Sequence, residues 1–285
     1  MRYGRSMLKQ FKVKGKNLAR RWVPLALRKK ACVLMEQRKW FSPDTRYWLI
    51  QEFLRDFEAS DRDAFHRFLW SHHLGYALSY EVNKRFGVEN MVGSRRLFFS
   101  ELHGFLVQIG LSPAQVRSVF EVGCSLGYQL RYLETEFLPH AEILEGIDID
   151  SKAIHQGGAF LANAGSKVKL SCIDMADLSR ILSGKNYDLI LCTGVLMYLQ
   201  AKEASRVVKA IMEHSRIAAF SGLANLVSDN SQMENSEIRG RDGTFIHNLD
   251  AMVKNAGGEV VYRRWGGGDT IEGQTIYFVF ARPNP

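Results

Sequence analysis

The sequence predicts an α/β protein: a seven-stranded, mostly parallel sheet ending in an antiparallel hairpin and preceded by a helical subdomain. Three observations carry this. From Val116 onward, short aliphatic or β-branched runs alternate with helical stretches, the rhythm of strands joined by crossover helices. Only "GGGDTIEGQ" separates the last two runs, too short for a crossover, so those two pair antiparallel. Residues 41–115 hold fourteen of the chain's thirty-two aromatics, surface that has to be buried in a packed subdomain.

The chain opens on a basic arm. Residues 1–40 carry thirteen Lys or Arg against the single acid Glu36, while the whole chain is only +8. The arm interleaves Leu, Phe, Val and Trp22 with its charges. That mixture suits an anionic membrane surface or nucleic acid, or remains a solvated leader. The helical subdomain, residues 41–115, follows. "FSPDTRYWLIQEFLRDF" has Ser42 as N-cap, Pro43 at the first helical position and Asp44 in the first turn. "SDRDAFHRFLWSHHLGYALSYEVNKRFG" begins at Ser60 or Asp61 and runs as one helix to Gly87; a third helix spans Ser94 to Gly110. In residues 116–285 the strands are "RSVFEVG", "EILEGIDI", "VKLSCIDM", "YDLILCTG", "IAAFSGL", "EVVYRRW" and "TIYFVFA". Helices lie between the first five and at "NLDAMVKNAGG".

Composition narrows the classes. The four cysteines, Cys32, Cys124, Cys172 and Cys192, show no CxxC or Cys/His spacing. This speaks against a zinc site or a disulfide framework and suits a reducing cytosol. No apolar run reaches the ~18 residues of a spanning helix, and the N-terminus lacks the apolar core of a secretory signal. The expectation is a cytoplasmic protein, with peripheral contact at the inner membrane surface through residues 1–40.

The stretch "VFEVGCSLGYQL" holds the chemistry. A strand ends in Glu121, a turn follows with small residues at Gly123, Ser125 and Gly127, and a helix opens. Such a turn brings backbone close to a ligand beneath free helix N–H groups. A dinucleotide fingerprint needs glycines at i, i+2 and i+5; here the small residues fall at i, i+2 and i+4.

That spacing resembles the first motif of class I S-adenosylmethionine-dependent methyltransferases, Glu/Asp-x-Gly-x-Gly-x-Gly with a small middle residue. The similarity covers residues 116–283 and departs at Ser125, where glycine is commoner. It implies a Rossmann-like sheet, S-adenosyl-L-methionine as cofactor, S-adenosyl-L-homocysteine as product and no metal. Residue by residue, it implies that Glu121, Gly123, Cys124, Ser125 and Gly127 form the cofactor turn. Asp148, with Ile149 beside it, would grip the ribose hydroxyls, and Asp174 would meet the adenine amine with Met175 flanking the ring. Cys192, Thr193 and Gly194 would lie near the methionine portion. Each residue also has a bland reading. Glu121 could be an ordinary strand-end acid and Gly127 a packing glycine, while Asp148 and Asp174 could cap the helices that follow them.

The acceptor is less legible. There is no Asn/Asp-Pro-Pro-aromatic turn after the fourth strand and no Cys directly after a Pro, which disfavours amino-group methylation of adenine or glutamine and carbon-5 methylation of cytosine. The long polar segment "ANLVSDNSQMENSEIRGRDGTFIHNLD" is a candidate acceptor wall. It holds His247, a candidate general base for an alcohol or else a contact to the next helix, with Arg239 and Arg241 for an anionic acceptor. Tyr198 is a candidate to pack over the cofactor. His72, His73, Arg95 and Arg96 read as packing or solvated residues. The whole arrangement is similar to methyltransferases encoded with bacterial glycan-assembly enzymes, which implies O-methylation of a small-molecule or glycan acceptor. Two alternatives stay open: an RNA methyltransferase using the basic arm, and a binding or scaffold protein that has lost its chemistry.

Overall fold

The structure is a computed structural model that describes residues 23–75, 82–87, 90–239, 243–271 and 274–284. Most of the basic arm, and Arg241, therefore lie outside the described residues. The chain divides into two compact units, one up to residue 80 and one from residue 81.

The described residues of the first unit form the helices α1 (Leu25–Gln37), α2 (Pro43–Ser60) and α3 (Arg62–Ser71). The expected caps are present. Ser42 accepts from the Thr45 amide ahead of Pro43, and Asp61 accepts from the Ala64 amide at 3.0 Å. Cys32, Ile50, Leu54, Phe57, Phe65 and Leu69 form the inner faces. Arg28, itself buried, reaches Asp56 with Nη2 at 2.7 Å from Oδ2. The single helix expected from residue 60 to 87 stops at Ser71. His73 is left-handed (φ +58°), and the Leu74 amide bonds back to the Leu69 carbonyl at 2.7 Å, closing the helix end. Residues 76–81 of that expected helix lie outside the described residues.

The second unit begins with α4 (Val82–Phe86) and α5 (Gly93–Gln108). Then come β1 (Ser118–Val122), α6 (Tyr128–Tyr132, running into a π-helical turn), β2 (Ile143–Asp148), α7 (Ser151–Asn163) and β3 (Lys169–Cys172). They are followed by α8 (Leu178–Leu182), β4 (Tyr187–Thr193), α9 (Ala201–His214) and β5 (Ser215–Ser221). A small hairpin, β6 (Glu237–Ile238) with β7 (Phe245–Ile246), precedes α10 (Leu249–Asn255), β8 (Gly258–Ile271) and β9 (Gln274–Pro283).

The main sheet has the order β3-β2-β1-β4-β5-β9-β8. Strands β1 to β5 are parallel, and β9 runs antiparallel to both β5 and β8. Both faces are covered, and the side chains divide between them with the two-residue period of a strand. In β4, Leu189 and Leu191 enter the core on one face while Ile190 and Cys192 enter the other. In β9, Phe278 and Phe280 alternate with Tyr277 and Val279 in the same way.

The helix α5, expected in a separate cap ending at residue 115, belongs to the sheet. Phe98 sets its ring edge-on to Phe278 and Phe280, at 5.2 and 5.3 Å, and Glu101 accepts from Tyr262 and pairs with Arg264. Its aromatics are spent on that face, so the boundary falls near residue 80 instead. No described helix is long and apolar enough to cross a membrane.

Candidate functional site

The β1–α6 turn lies at the carboxyl ends of the central strands, where the strand order reverses between β1 and β4. Gly123 has φ +74°, and a Cβ there would sit 2.2 Å from Cγ1 of Val195, in the loop after β4. Only glycine allows those two loops to close together. Ser125 is also left-handed, at φ +54°, which explains why the resembling motif more often has glycine there. Its amide donates to Asp148 Oδ2 at 2.8 Å, and the Asp150 amide donates to Asp148 Oδ1 at 2.9 Å.

That pairing distinguishes Asp148 from a helix cap. Asp150 fills the capping role, accepting from the Lys152 and Ala153 amides at 3.0 Å. The Asp148 carboxylate spends one lone pair per oxygen on backbone and is half-buried. A carboxylate has about four acceptor positions, so two remain for a ligand's hydroxyls. Asp174 does cap the turn after it, accepting from Ala176 at 2.9 Å, and is half-buried beside Met175. Ile149 is half-buried, and its carbonyl receives the Cys172 thiol at 3.7 Å.

Two of the expected residues offer no side chain to the cleft. Cys124 and Cys192 are 1% and 0% exposed, and both thiols are turned into the core. The Cys124 and Gly123 amides are also spent, both on the Ile147 carbonyl, at 2.9 and 2.8 Å. For Cys192 the period of two decides this. Glu121, Leu191 and Thr193 point to one face of the sheet, whereas Cys192 points to the other.

Beneath the turn lies a polar cluster. Gln129, in the first turn of α6, donates through Nε2 to Glu121 Oε1 at 2.8 Å and to Thr193 Oγ1 at 2.9 Å. Glu121 Oε2 is buried with no hydrogen-bond partner. Burial pushes the Glu121 carboxyl well above the usual range, and the neighbouring Asp148 charge adds to this against the Gln129 hydrogen bond. Burial raises Asp148 as well, opposed by its backbone hydrogen bonds.

The sign for stability follows. The folded state keeps Glu121 protonated at pH values where the unfolded chain, with an ordinary carboxyl near 4.5, has lost that proton. The stabilisation is present below that value and is lost as pH rises through the folded value. Glu121→Gln is therefore expected to melt higher than wild type at pH 7–8 and to match it near pH 4.5. Melting curves across pH check this; a variant less stable at pH 8 would mean that an ionised Glu121 is held by a partner.

The described residues of the segment after β5, the candidate acceptor wall, are held by buried hydrogen bonds. Asn230 is fully buried; its amide donates to the carbonyls of Leu223 (2.9 Å) and His247 (2.8 Å), and its oxygen accepts from the Asn225 amide. Arg263 on β8 ties the wall down through Asp229 and through Asp250, 3.0 Å from its Nε. Arg239 turns the β6–β7 hairpin, its amide on the Thr244 carbonyl at 2.7 Å.

His247 is 4% exposed, with both ring nitrogens engaged. Nε2 lies 3.0 Å from the Leu196 carbonyl, and Nδ1 lies 2.7 Å from Ser236 Oγ. A carbonyl can only accept, so Nε2 carries the hydrogen and Nδ1 presents its lone pair to the Ser236 hydroxyl. Leu196 is next to Val195, the residue against Gly123, so this pair is tied to the loop that meets the turn. The cap on the following helix is Asn248, not His247. Arg95 stacks over Tyr128, its guanidinium 5.5 Å from the ring centre, and His72 bonds within its own helix end.

Sequence reasoning missed Gln129, Ser236 and Gly157. A Cβ on Gly157, midway along α7, would lie 2.1 Å from the backbone oxygen of Leu126 in the turn. The signal for Gln129 was its place eight residues after Glu121, on the first turn of the helix that the motif opens. Ser236 had none, because its partner is eleven residues away across an irregular segment. Among the described residues no group of His, Cys, Asp or Glu is placed to hold a metal ion.

Residues 120–218 match a family model described as a methyltransferase domain. The fold is similar to that of an S-adenosylmethionine-dependent methyltransferase from Clostridium acetobutylicum, 11% identical, with a TM-score of 0.50 over 70% of this chain and 95% of that one. It is also similar to magnesium protoporphyrin IX methyltransferase from Synechocystis with bound S-adenosylmethionine, 16% identical, with a TM-score of 0.49 over 82% of this chain and 97% of that one. No protein of curated function matches the chain in sequence. The family match lies on the strands that carry the turn, so residues 120–218 belong to a methyltransferase domain, and the second unit has the fold of an S-adenosylmethionine-dependent methyltransferase.

Proposed function

We propose that this domain transfers a methyl group to a hydroxyl of a small-molecule or glycan acceptor. Asp148 would hold the ribose hydroxyls, with Ile149 alongside. The turn Gly123–Gly127 would pass under the cofactor, Asp174 and Met175 would flank the adenine, and Thr193, held by Gln129, would lie by the methionine portion. Three features support this assignment: the two spare acceptor positions of Asp148, the orphaned Glu121 Oε2 and the close approach at Gly123. When bound, S-adenosylmethionine supplies a methyl group activated by its sulfonium, whose sulfur keeps the electron pair of the broken bond.

The observation that carries the hydroxyl reading is the pair Ser236–His247. His247 is buried and neutral, oriented by the Leu196 carbonyl, and its basic nitrogen is covered by the half-buried Ser236. The base would therefore be presented indirectly. The acceptor hydroxyl gives its proton to Ser236 Oγ as Ser236 gives its own to His247 Nδ1, leaving the acceptor oxygen its electron pair for the new bond. Burial holds the His247 imidazole below its usual value, and no charged side chain contributes to that shift. The base form thus persists below pH 6.5, and the acidic limb of activity is expected there.

The test is a panel of hydroxyl, amine, carboxylate and RNA acceptors with methyl-labelled cofactor, followed by variants on the acceptor that reacts. Ser236→Ala should lower kcat by about 100-fold with KM little changed, and Ser236→Thr, which keeps the hydroxyl, should recover most of it. Label appearing only on amines or RNA, or a Ser236→Ala enzyme at full rate, would reject the reading.

A further inference from the structure

The first unit carries exposed apolar side chains that the methyl-transfer reading does not use. At the tip of the α1–α2 hairpin, Trp40 and Phe41 are 50% and 58% exposed, and Trp48, one turn into α2, is 46% exposed. Leu27 and Leu34 on α1 are exposed too, seven residues apart and so on the same helix face. Five large apolar side chains are exposed between residues 27 and 48, more than the single exposed residues that any protein shows.

The tip is built to face outward. Helix α1 closes with Lys39 left-handed at φ +52°, and the Trp40 amide bonds back to the Met35 carbonyl at 3.1 Å. Phe41 is left-handed as well (φ +67°), and its carbonyl points inward to Nη1 of the buried Arg46 at 3.2 Å. Arg46 Nε also holds Glu36 at 2.7 Å, so the acid nearest the tip is turned inward. The charges left outside are mostly cationic. Lys30 and Arg38 are exposed, Lys39 is exposed and pairs with Glu36, and Asp44 is the one exposed acid of residues 23–48. Residues 1–22, which lead into α1, carry eight Lys or Arg and no acid.

We infer that this hairpin tip docks on an anionic lipid bilayer, with Trp40, Phe41 and Trp48 entering the interface and the neighbouring Lys and Arg meeting the headgroups. Two features single out this occupant. Aromatic rings and basic side chains together also suit a polynucleotide, but exposed Leu27 and Leu34 gain nothing from stacked bases, whereas an acyl boundary rewards them. A second copy of the chain would bring two strongly cationic segments together, which repel; an anionic surface attracts each charge by about 1 kcal/mol. The inference is independent of which acceptor the domain methylates.

The experiment uses the full chain and its W40A/F41A variant, with vesicles of phosphatidylcholine and phosphatidylglycerol (about 3:1) or phosphatidylcholine alone, at about 0.15 M salt, where surface charge is partly screened. The wild type should sediment with the anionic vesicles and not with the neutral ones, and the variant should bind them at least tenfold more weakly. Both residues are exposed, so the variant should melt with the wild type. Brominated acyl chains should quench tryptophan emission in the wild type more than in the variant. No vesicle binding by the wild type, or equal binding by both proteins, would overturn the proposal. So would a variant that loses RNA affinity or a concentration-dependent dimer while its vesicle binding is unchanged, because the tip would then serve a different partner.

Discussion

Gly157→Ala is expected to destabilise the second unit by roughly 2–3 kcal/mol and to weaken S-adenosylhomocysteine binding with it. Alanine is ordinarily the better helix residue, and in an exposed helix the change would stabilise by up to about 1 kcal/mol. Here the added carbon would lie 2.1 Å from the Leu126 carbonyl oxygen and 2.7 Å from its carbon, both backbone atoms. Neither can rotate away, so α7 must lift off the turn or the turn must shift. That turn is also where Ser125 donates to Asp148, so stability and binding should fall together. The adjacent residue supplies the control. A Cβ on Gly158 meets nothing within 4 Å, so Gly158→Ala should be neutral or stabilising. Urea unfolding of the two variants, with cofactor-product titrations, checks the pair. Equal behaviour of Gly157→Ala and Gly158→Ala would show that α7 does not sit on the turn as closely as described.

Gly157 also shows where sequence reading ends. The central strands β1, β4, β5 and β9 were legible because both faces are buried, so each reads as a continuous apolar run cut off by turn residues. The antiparallel end was legible because "GGGDTIEGQ" cannot hold a helix. The turn itself was legible through spacing. The misses share a cause: each depends on what lies across space. "HQGGAF" marks two glycines in a helix, and nothing in the string distinguishes the one pressed on the turn from the one facing open space. The strands β6 and β7, two residues each, are too short to show a period. Cys124 and Cys192 sit where the spacing expects them, but both thiols are packed into the core, on opposite faces of the sheet. Ser236 joins His247 only because Asn230 and Arg263 fold the long segment back on itself. The helix α5 carries the same aromatic signature as the helices before it, and only its contacts with Phe278 and Phe280 assign it to the sheet.

Asp148 is the second position where a large effect is expected. Under the proposed cofactor site its carboxylate would have two functions that a substitution separates in degree. It accepts the Ser125 and Asp150 amides, which shape the turn, and it keeps acceptor capacity for two vicinal hydroxyls, a charge-assisted pair in a half-buried site. Asp148→Ala removes both and leaves two amides without a partner; Asp148→Asn keeps one acceptor oxygen and loses the charge. Binding should therefore weaken in the order wild type, Asn, Ala. Asp174→Ala should have the smaller effect, since that carboxylate caps its own turn.

The measurement that tests the central claim most directly is calorimetric titration of S-adenosylhomocysteine into the wild-type chain and into Asp148→Ala, with melting curves to show that both are folded. A cofactor site at the carboxyl ends of β1 and β2 predicts micromolar binding to the wild type and at least a tenfold loss, ~1.4 kcal/mol, in the variant. No binding to the folded wild type, or the same affinity in Asp148→Ala, would contradict it.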